Sequence, residues 1–577
     1  MGETFWQGAV ATISAGGSSR HLDDVLHDLE RREFVRRERT STVAEDVEYT
    51  FRHRLIRDVC YAQIPRVRRA ERHLRAAAWI ERLGGHDNTA ETLAHHYLAA
   101  LRLARCTDAG ADALETHALR ALRAAGDRAA ALNAHQAATG YYGEALALVP
   151  PDGDERRALL AEYGQELERA GDYTAAGPVL EEARDEALGA GEVATAAELE
   201  ATLATIEWTS GRRDKGLELV ERAYARIRNE PPSGAKAATL TRAAGYVAMT
   251  GDPVRAIEMA TDALALADDF PDIQVHALTT IGTSRGQIGD PRGFDDLERA
   301  VEIAHTLGAS AVARALNNLG YLAYLYGDLR RDAHTREEAR RSAERLGDAP
   351  MVRFLRGVAV YLAYWSGRWD ECSRLADAFI AECRSGSPHY LEPDILRIRA
   401  QLLLARGELG AAEEEASAAL TAGADVKDPG MVQPVISLNA RLQAARGRPE
   451  DGRRFADELL AAPGPGVRPE VLVDLAWAAR PLALDERLMS FFDRLVPQTA
   501  WHDAARAVVA ERFEEAAERF DAIGSVPDAA VARLHAAEAA AAAGLTSDAE
   551  RLSEEALIFF GPARATPAIE RAERLRP

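Results

Sequence analysis

Along most of the chain, alanine- and leucine-rich stretches carry apolar residues at three- and four-residue spacing, the period of an amphipathic helix. The stretches stop at short segments built on glycine, often followed by Asp or Arg. These are AGDY at Gly171, SGRR at Gly211, TGDP at Gly251, IGDP at Gly289, YGDL at Gly327, SGRW at Gly367, RGEL at Gly407 and RGRP at Gly447. Their spacings are 40, 40, 38, 38, 40, 40 and 40 residues. Each glycine is preceded by one helical pattern and followed by another, as in AIEMATDALALA after Gly251 and AAEEEASAALTA after Gly407. Glycine tolerates the positive φ of a tight interhelical turn. Each unit is therefore a helix hairpin whose apolar face only a neighbouring hairpin can bury, and stacked hairpins wind into a superhelical solenoid.

The hairpins resemble the tetratricopeptide repeat. That repeat places Gly or a small residue midway along helix A, Gly-Asp at the turn, Ala early in helix B and Ala-Leu near its end. Residues 157–188 supply Gly164, Gly171-Asp172-Tyr173, Ala176 and Ala183. Residues 119–150 supply Gly126, Ala138, Tyr142, Ala145-Leu146 and Pro150, and NNLGYLAYLYGDL supplies Leu319-Gly320 and Gly327-Asp328. The period near 40 exceeds the plain repeat's ~34 and leaves room for longer helices or loops. The resemblance implies an all-α, right-handed superhelical solenoid over 119–460. Degenerate helical repeats follow over 461–577, marked by ERFEEAAERF (511–520) and AAGLTSDAERLSEEAL (542–557). The Pro/Gly segment AAPGPGVRPE (461–470) interrupts the two.

The first 83 residues depart from this pattern. LDDVLHDLERREFVRRE (22–38) predicts a helix running into a short strand, VEYTFRH (47–53) a second strand, and residues 54–83 are helical; 84–118 connect to the repeats. Helix, two-stranded wing, helix is a winged-helix pattern. Phe51-Arg52-His53-Arg54-Leu55-Ile56-Arg57-Asp58 with Tyr61 resembles the end of the ATPase module in signal-transduction ATPases with numerous domains, of the adenylate-cyclase-linked or maltose-regulator type. The resemblance implies a nucleotide-sensing role for His53 alone. The family's phosphate loop, GxxxxGK[ST], has no counterpart here. Only Lys215, Lys236 and Lys427 are present, in GRRDKGL, SGAKAA and ADVKDPG, and none opens a phosphate-cradling loop. No nucleotide hydrolysis and no cofactor are expected of this chain. The opening ETFWQGAV reads as the interior of a domain, so the chain is expected to begin within a longer protein.

Composition narrows the remaining classes. Aromatics make up only 6 % of the residues, and the charge is −21, with the acidic excess lying beyond residue 76. Such a chain is expected to be soluble and to repel nucleic acid and anionic membrane. Arginine runs at 31–39 and 66–75 leave a DNA-associated regulator acting through the winged helix as an alternative. A fragment of a larger cyclase or ATPase whose catalytic part lies elsewhere is another. Cys60, Cys106, Cys372 and Cys383 show no metal spacing and are expected to be buried thiols in a cytoplasmic protein. Adjacent His95 and His96 point about 100° apart on a helix and cannot chelate together. No metal site is expected.

Against the low aromatic background, two neighbouring repeats stand out. Counted back from the turn glycines, Asn317, Tyr321 and Tyr324 share a level on helix A with Tyr361, Tyr364 and Trp365 of the next repeat, then Arg397 and Gln401. These residues are the expected lining of a concave groove for a protein or small-molecule effector, or for an ATPase module in cis or in trans. The competing reading is that the aromatics fill the interface between stacked repeats. The chain is thus expected to be a non-catalytic binding scaffold.

Overall fold

The computed structural model describes all residues except 1–3, 15–18, 44, 84–88, 107–110, 211, 250, 308–310, 387, 427–428, 462–465 and 577. Contacts divide it into two units, residues 1–170 and 171–577.

In the first unit, β1 (Thr4–Trp6) leads into α1 (Gln7–Ile13) and α2 (Ser19–Arg31); β2 (Val35–Arg37) and β3 (Glu48–Phe51) precede α3 (Arg54–Ala62) and α4 (Arg66–Arg82). The two expected strands form, joined by a third that the sequence pattern did not announce. Thr4 to Trp6 pairs antiparallel with β3, giving the order β1-β3-β2. Three residues are too few for a readable alternation; Phe5 earns the strand by packing with Leu26, Val35 and Tyr49. Helices α5 (Ala90–Arg105), α6 (Ala111–Ala131), α7 (His135–Leu146) and α8 (Asp154–Arg169) complete the unit.

The second unit opens with α9 (Tyr173–Gly189) and continues as antiparallel pairs. They are α10 (Val193–Thr209) with α11 (Arg213–Ile227), α12 (Gly234–Met249) with α13 (Pro253–Leu264), and α14 (Pro271–Gln287) with α15 (Arg292–Leu307). Next come α16 (Ala311–Tyr326) with α17 (Leu329–Leu346), α18 (Ala349–Trp365) with α19 (Trp369–Arg384), and α20 (Glu392–Arg406) with α21 (Leu409–Val426). The series ends with α22 (Pro429–Ala445) and α23 (Pro449–Ala461), α24 (Pro469–Leu482) and α25 (Asp485–Arg494), α26 (Ala500–Val509) and α27 (Phe513–Ile523), α28 (Val526–Ala542) and α29 (Thr546–Ala563), then α30 (Thr566–Glu573). The all-α repeat fold is thus the fold of the chain. Among the described residues, no helix is long and apolar enough to cross a membrane.

The periodic glycines are the turns. Gly171, Gly251, Gly289, Gly327, Gly367, Gly407 and Gly447 all hold φ between 71° and 91°, while Gly211 lies outside the described residues. The following Asp caps helix B at Asp172, Asp252 and Asp328, each accepting from the backbone N–H three residues on. Alanine makes the stacking possible: Ala256, Ala260, Ala300, Ala339, Ala376, Ala412 and Ala416 are fully buried, and small side chains bring helix axes close.

One expectation is corrected. Cys372 and Cys383 are buried, and burial pushes their thiols up to about 12 and about 11. Cys60 and Cys106 are exposed, because α3 and the end of α5 present them to solvent.

The superhelix winds tightly enough that turn glycines meet helices far along the chain. A Cβ at Gly327 would stand 2.9 Å from Ala500 Cβ, one at Gly367 3.0 Å from Val526 and Phe559, and one at Gly407 2.7 Å from Pro567. Gly251 has the same φ as Gly327 within a degree and nothing within 4 Å. Gly251→Ala should therefore cost only the left-handed backbone, about 1–2 kcal/mol. Gly327→Ala should cost about 1–3 kcal/mol more from overpacking. Urea melts of the two variants measure the difference, and equal midpoints would deny the contact between turns.

Candidate binding surface

Helix A of each hairpin presents equivalent positions to the inside of the solenoid, and in the second unit these positions meet two different fates. From α16 onward they are closed off by later helices of the same unit. Tyr324 donates its hydroxyl to Glu470 at the start of α24, and Trp501 Nε1 of α26 donates to the Tyr324 carbonyl at 2.8 Å. Trp365 lies 5.1 Å from Trp501, ring to ring, and Tyr364 stacks on Trp369 at 5.7 Å. Tyr361 donates to Asp394, and Arg397 binds both Asp394 and, at 2.8 Å, Gln401. Asn317 accepts from Arg336 of its own hairpin.

The expected groove lining is therefore corrected as an exposed patch. Asn317, Tyr324, Tyr364, Trp365, Arg397 and Gln401 are buried, and Tyr321 and Tyr361 are half-buried. The level on helix A was legible, and Tyr321 and Tyr324 do lie together, with ring centroids 6.1 Å apart. What covers that level comes from about 150 residues further along.

The closure is polar at its centre. Arg468, the residue before α24, binds Asp394 at 2.7 Å and Glu470 at 2.7 Å, and its guanidinium lies over the Tyr361 ring. Arg397 approaches Glu470 at 3.6 Å. Two guanidinia thus face two carboxylates, all buried. Burial opposes the charge on Arg468, but Asp394 and Glu470 outweigh it and raise its pKa; Asp394 stays ionised because Arg397 and Arg468 outweigh its burial. Burial and the Glu470 carboxylate push the Tyr324 hydroxyl well above the usual phenol range, so it remains a donor. Arg468 and Glu470 come from the Pro/Gly interruption. Its one sequence signal was an Arg-Pro-Glu directly after the break, and Pro469 and Glu470 both suit a helix N-terminus.

Over α10–α16 the positions six and nine residues before the turn glycine are partly accessible, except Thr202, which is buried. Six residues before each turn glycine stand Thr205, Gly245, Thr283 and Tyr321; nine before stand Thr202, Arg242, Thr280 and Asn318. Arg242 donates to Thr205 Oγ1 at 3.3 Å and Thr283 Oγ1 lies 3.5 Å from Asn318 Oδ1, so the sixth position of one helix meets the ninth of the next. Thr205, Arg242, Thr280, Thr283, Asn318 and Tyr321 are half-buried and Arg314 is exposed. The threonine hydroxyls donate to carbonyls one turn back, which leaves lone pairs to accept, as Thr205 does from Arg242. Composition could not single out this ladder, because Thr, Asn and Arg are ordinary helix-surface residues.

In the first unit, His53 precedes α3 and is exposed, with no side-chain cap bond. Lys215 pairs with Glu207, and Lys236 Nζ donates to the carbonyls of Arg228 and Glu230; Lys427 lies outside the described residues. Neither described lysine belongs to a loop between strand and helix. Among the described residues, no group of three or more His, Cys, Asp or Glu could hold a metal ion. His96 hydrogen-bonds His73, Nδ1 to Nδ1 at 2.8 Å, while His73 Nε2 meets the Tyr61 hydroxyl at 2.8 Å.

Two predictions follow from these clusters. Glu470→Ala leaves Arg468 and Arg397 short of a buried partner and should cost about 3–5 kcal/mol in a denaturant melt of the second unit; a change below about 1 kcal/mol would mean that water already reaches them. Burial lowers His73 to about 4 and His96 to about 2, against 6.5 when unfolded. The unfolded chain takes up protons first, so the stability these imidazoles contribute is present above 6.5 and lost as pH falls from there, toward about 4 for His73 and about 2 for His96. The melting temperature of the first unit should drop over that range, less steeply in His96→Asn.

Comparisons place few constraints on the chain. No family model matches it, and no curated protein does either. Among solved structures, a Rap protein complexed with competence and sporulation factor matches at 13 % identity and TM-score 0.46, over 62 % of this chain and all of that one. Yeast Tom70 matches at 13 % identity and TM-score 0.34, over 77 % and 96 %. A signal transduction ATPase with numerous domains carrying a tetratricopeptide repeat sensor, from Pyrococcus horikoshii, matches at 12 % and 0.32, over 84 % and 65 %. With TM-scores below 0.5 these likenesses carry no functional weight, and the fold assignment rests on the chain's own hairpins.

Proposed function

We propose that the chain is a non-catalytic repeat scaffold that holds an extended segment of a partner protein along the inner faces of α10, α12, α14 and α16. The observation that carries this reading is the polar ladder. The interior beyond α16 is filled, whereas the ladder leaves Thr205, Arg242, Thr280, Thr283 and Asn318 half-buried, with the sixth and ninth positions of neighbouring helices in contact, and Arg314 exposed about one turn before Asn318. Among the described residues, neither Arg242 nor Arg314 has a carboxylate partner, although the unit pairs most of its arginines. Helix axes 8–10 Å apart spread the ladder over roughly 25–30 Å. That is the reach of about eight residues of extended chain. Accepting threonines and donating Asn and Arg suit a peptide backbone and its carboxylates. In its wider setting the chain serves as the sensor arm of a signal-transduction ATPase regulator; support for this comes from the segment Phe51–Asp58 alone.

The test is a photo-crosslinking amino acid at Asn318, compared with one at Glu302 on the outer helix α15, in cells that express the full chain. Crosslinks to a partner should form from position 318 and not from 302. Arg242→Glu with Arg314→Glu should reduce them about tenfold or more at an unchanged melting temperature. Equal crosslinking from both faces, or indifference to the charge reversal, would place binding elsewhere.

A further inference from the structure

Helix α3 buries none of its residues, and nine residues of helix are marginal in water without packing. What holds it converges on its C-terminal end. The Tyr61 hydroxyl meets His73 Nε2 at 2.8 Å, and the Tyr61 ring stands edge-on to the imidazole. Arg69 lies 4.8 Å above the same ring and donates to the carbonyls of Ala62 and Ile64 at 2.7 and 2.6 Å. Helices α4 and α5, which carry His73 and His96, are packed by contrast. Ala76, Ala77 and Ile80 of α4 and Ala94, Tyr97 and Leu101 of α5 are all buried.

Both ring nitrogens of His73 are engaged. Its Nδ1 faces His96 Nδ1 at 2.8 Å, a gap that holds one proton and not two. In the neutral pair every bond of the chain is made, whichever imidazole donates. An added proton puts a full charge into a buried site. Burial opposes it first, and the charges around the histidines share its sign: Arg69 on α4, Arg57 on α3, Arg102 on α5 and the α-amino group. His95 adds a third imidazole, 6.1 Å from His73 and 5.4 Å from His96, ring to ring. Among the described residues no carboxylate pairs with any of the three. Only water can then stabilise the imidazolium, and α3 is the neighbour that moves at least cost, because Tyr61 covers His73 Nε2 from a helix with nothing buried.

We propose that Tyr61, His73 and His96 form an acid-sensitive latch whose protonation frees α3 from α4 while α4 and α5 remain folded. With α3 in place, burial holds His73 down at about 4; with Tyr61 gone, water returns it toward 6.5. The held state is therefore favoured above 6.5 and lost as pH falls from there toward about 4. Within that window each pH unit favours release about tenfold. His96, lowered to about 2, stays neutral throughout and keeps its bond to His73. This latch is independent of the ladder on α10–α16.

The experiment uses the full chain with Cys106→Ser, which leaves Cys60 on α3 as the exposed thiol for a dye whose emission ignores pH. Time-resolved anisotropy should show a stiff dye at about pH 7.5 and a freely swinging one at about pH 4.5. Hydrogen exchange, expressed as protection factors, should fall about tenfold or more in α3 over that range while α4 and α5 keep theirs. His73→Gln retains an amide for Tyr61 and His96 but does not titrate, so α3 should stay held at both pH values. Tyr61→Phe should loosen it already at the higher pH. Should His73→Gln fold poorly, the protection factors of the parent chain decide. A dye equally stiff at both pH values, protection lost from α3 and α4 together, or a response unchanged in a folded His73→Gln would overturn the inference.

Discussion

Contact between successive superhelical turns is the constraint on which the second unit depends. A hairpin solenoid can wind openly, with each repeat touching its neighbours alone. Here the turn at Gly327 reaches Ala500, that at Gly367 reaches Val526, and that at Gly407 reaches Pro567. Glycine meets two demands at these positions. It supplies the left-handed φ of the hairpin turn, and it leaves no side chain where the next turn must seat.

At the centre of that contact sits a charged cluster rather than an oily one. Arg397, Arg468, Asp394 and Glu470 balance in charge, and Tyr324 and Tyr361 complete their hydrogen bonds. Such clusters add little net stability over apolar replacements, but they penalise any misaligned register heavily. Trp501 lies against Tyr324, and Trp365 and Phe520 pack on Trp501, all of them buried. The buried aromatics provide the adhesion, and the ionic cluster selects which helices adhere. Closure in turn divides the interior, leaving accessible polar rows on the helices that come before the filled part.

The first unit follows a different economy. Its small sheet packs through Phe5, Leu26, Val35 and Tyr49, and its helices through alanine and the Tyr61–His73–His96 chain. Helix α3 buries none of its residues and is tied to α4 through Tyr61 and by Arg69 at its C-terminal carbonyls.

The sequence by itself determined the hairpins. Glycine spacing, alanine content and Gly-Asp turns act within about 40 residues, where chain connectivity alone brings the groups together. It likewise determined which positions of helix A face inward, since helical period and distance from the turn are local quantities. Whether those positions meet solvent or protein was decided only in the tertiary structure. The pitch of the superhelix sets it, and pitch accumulates from small rotations at every interface, none of which a residue type announces. Tyr321 and Tyr324 lie three residues apart in the sequence. One remains half-buried and the other is sealed beneath Glu470 and Trp501, which come from the far end of the chain.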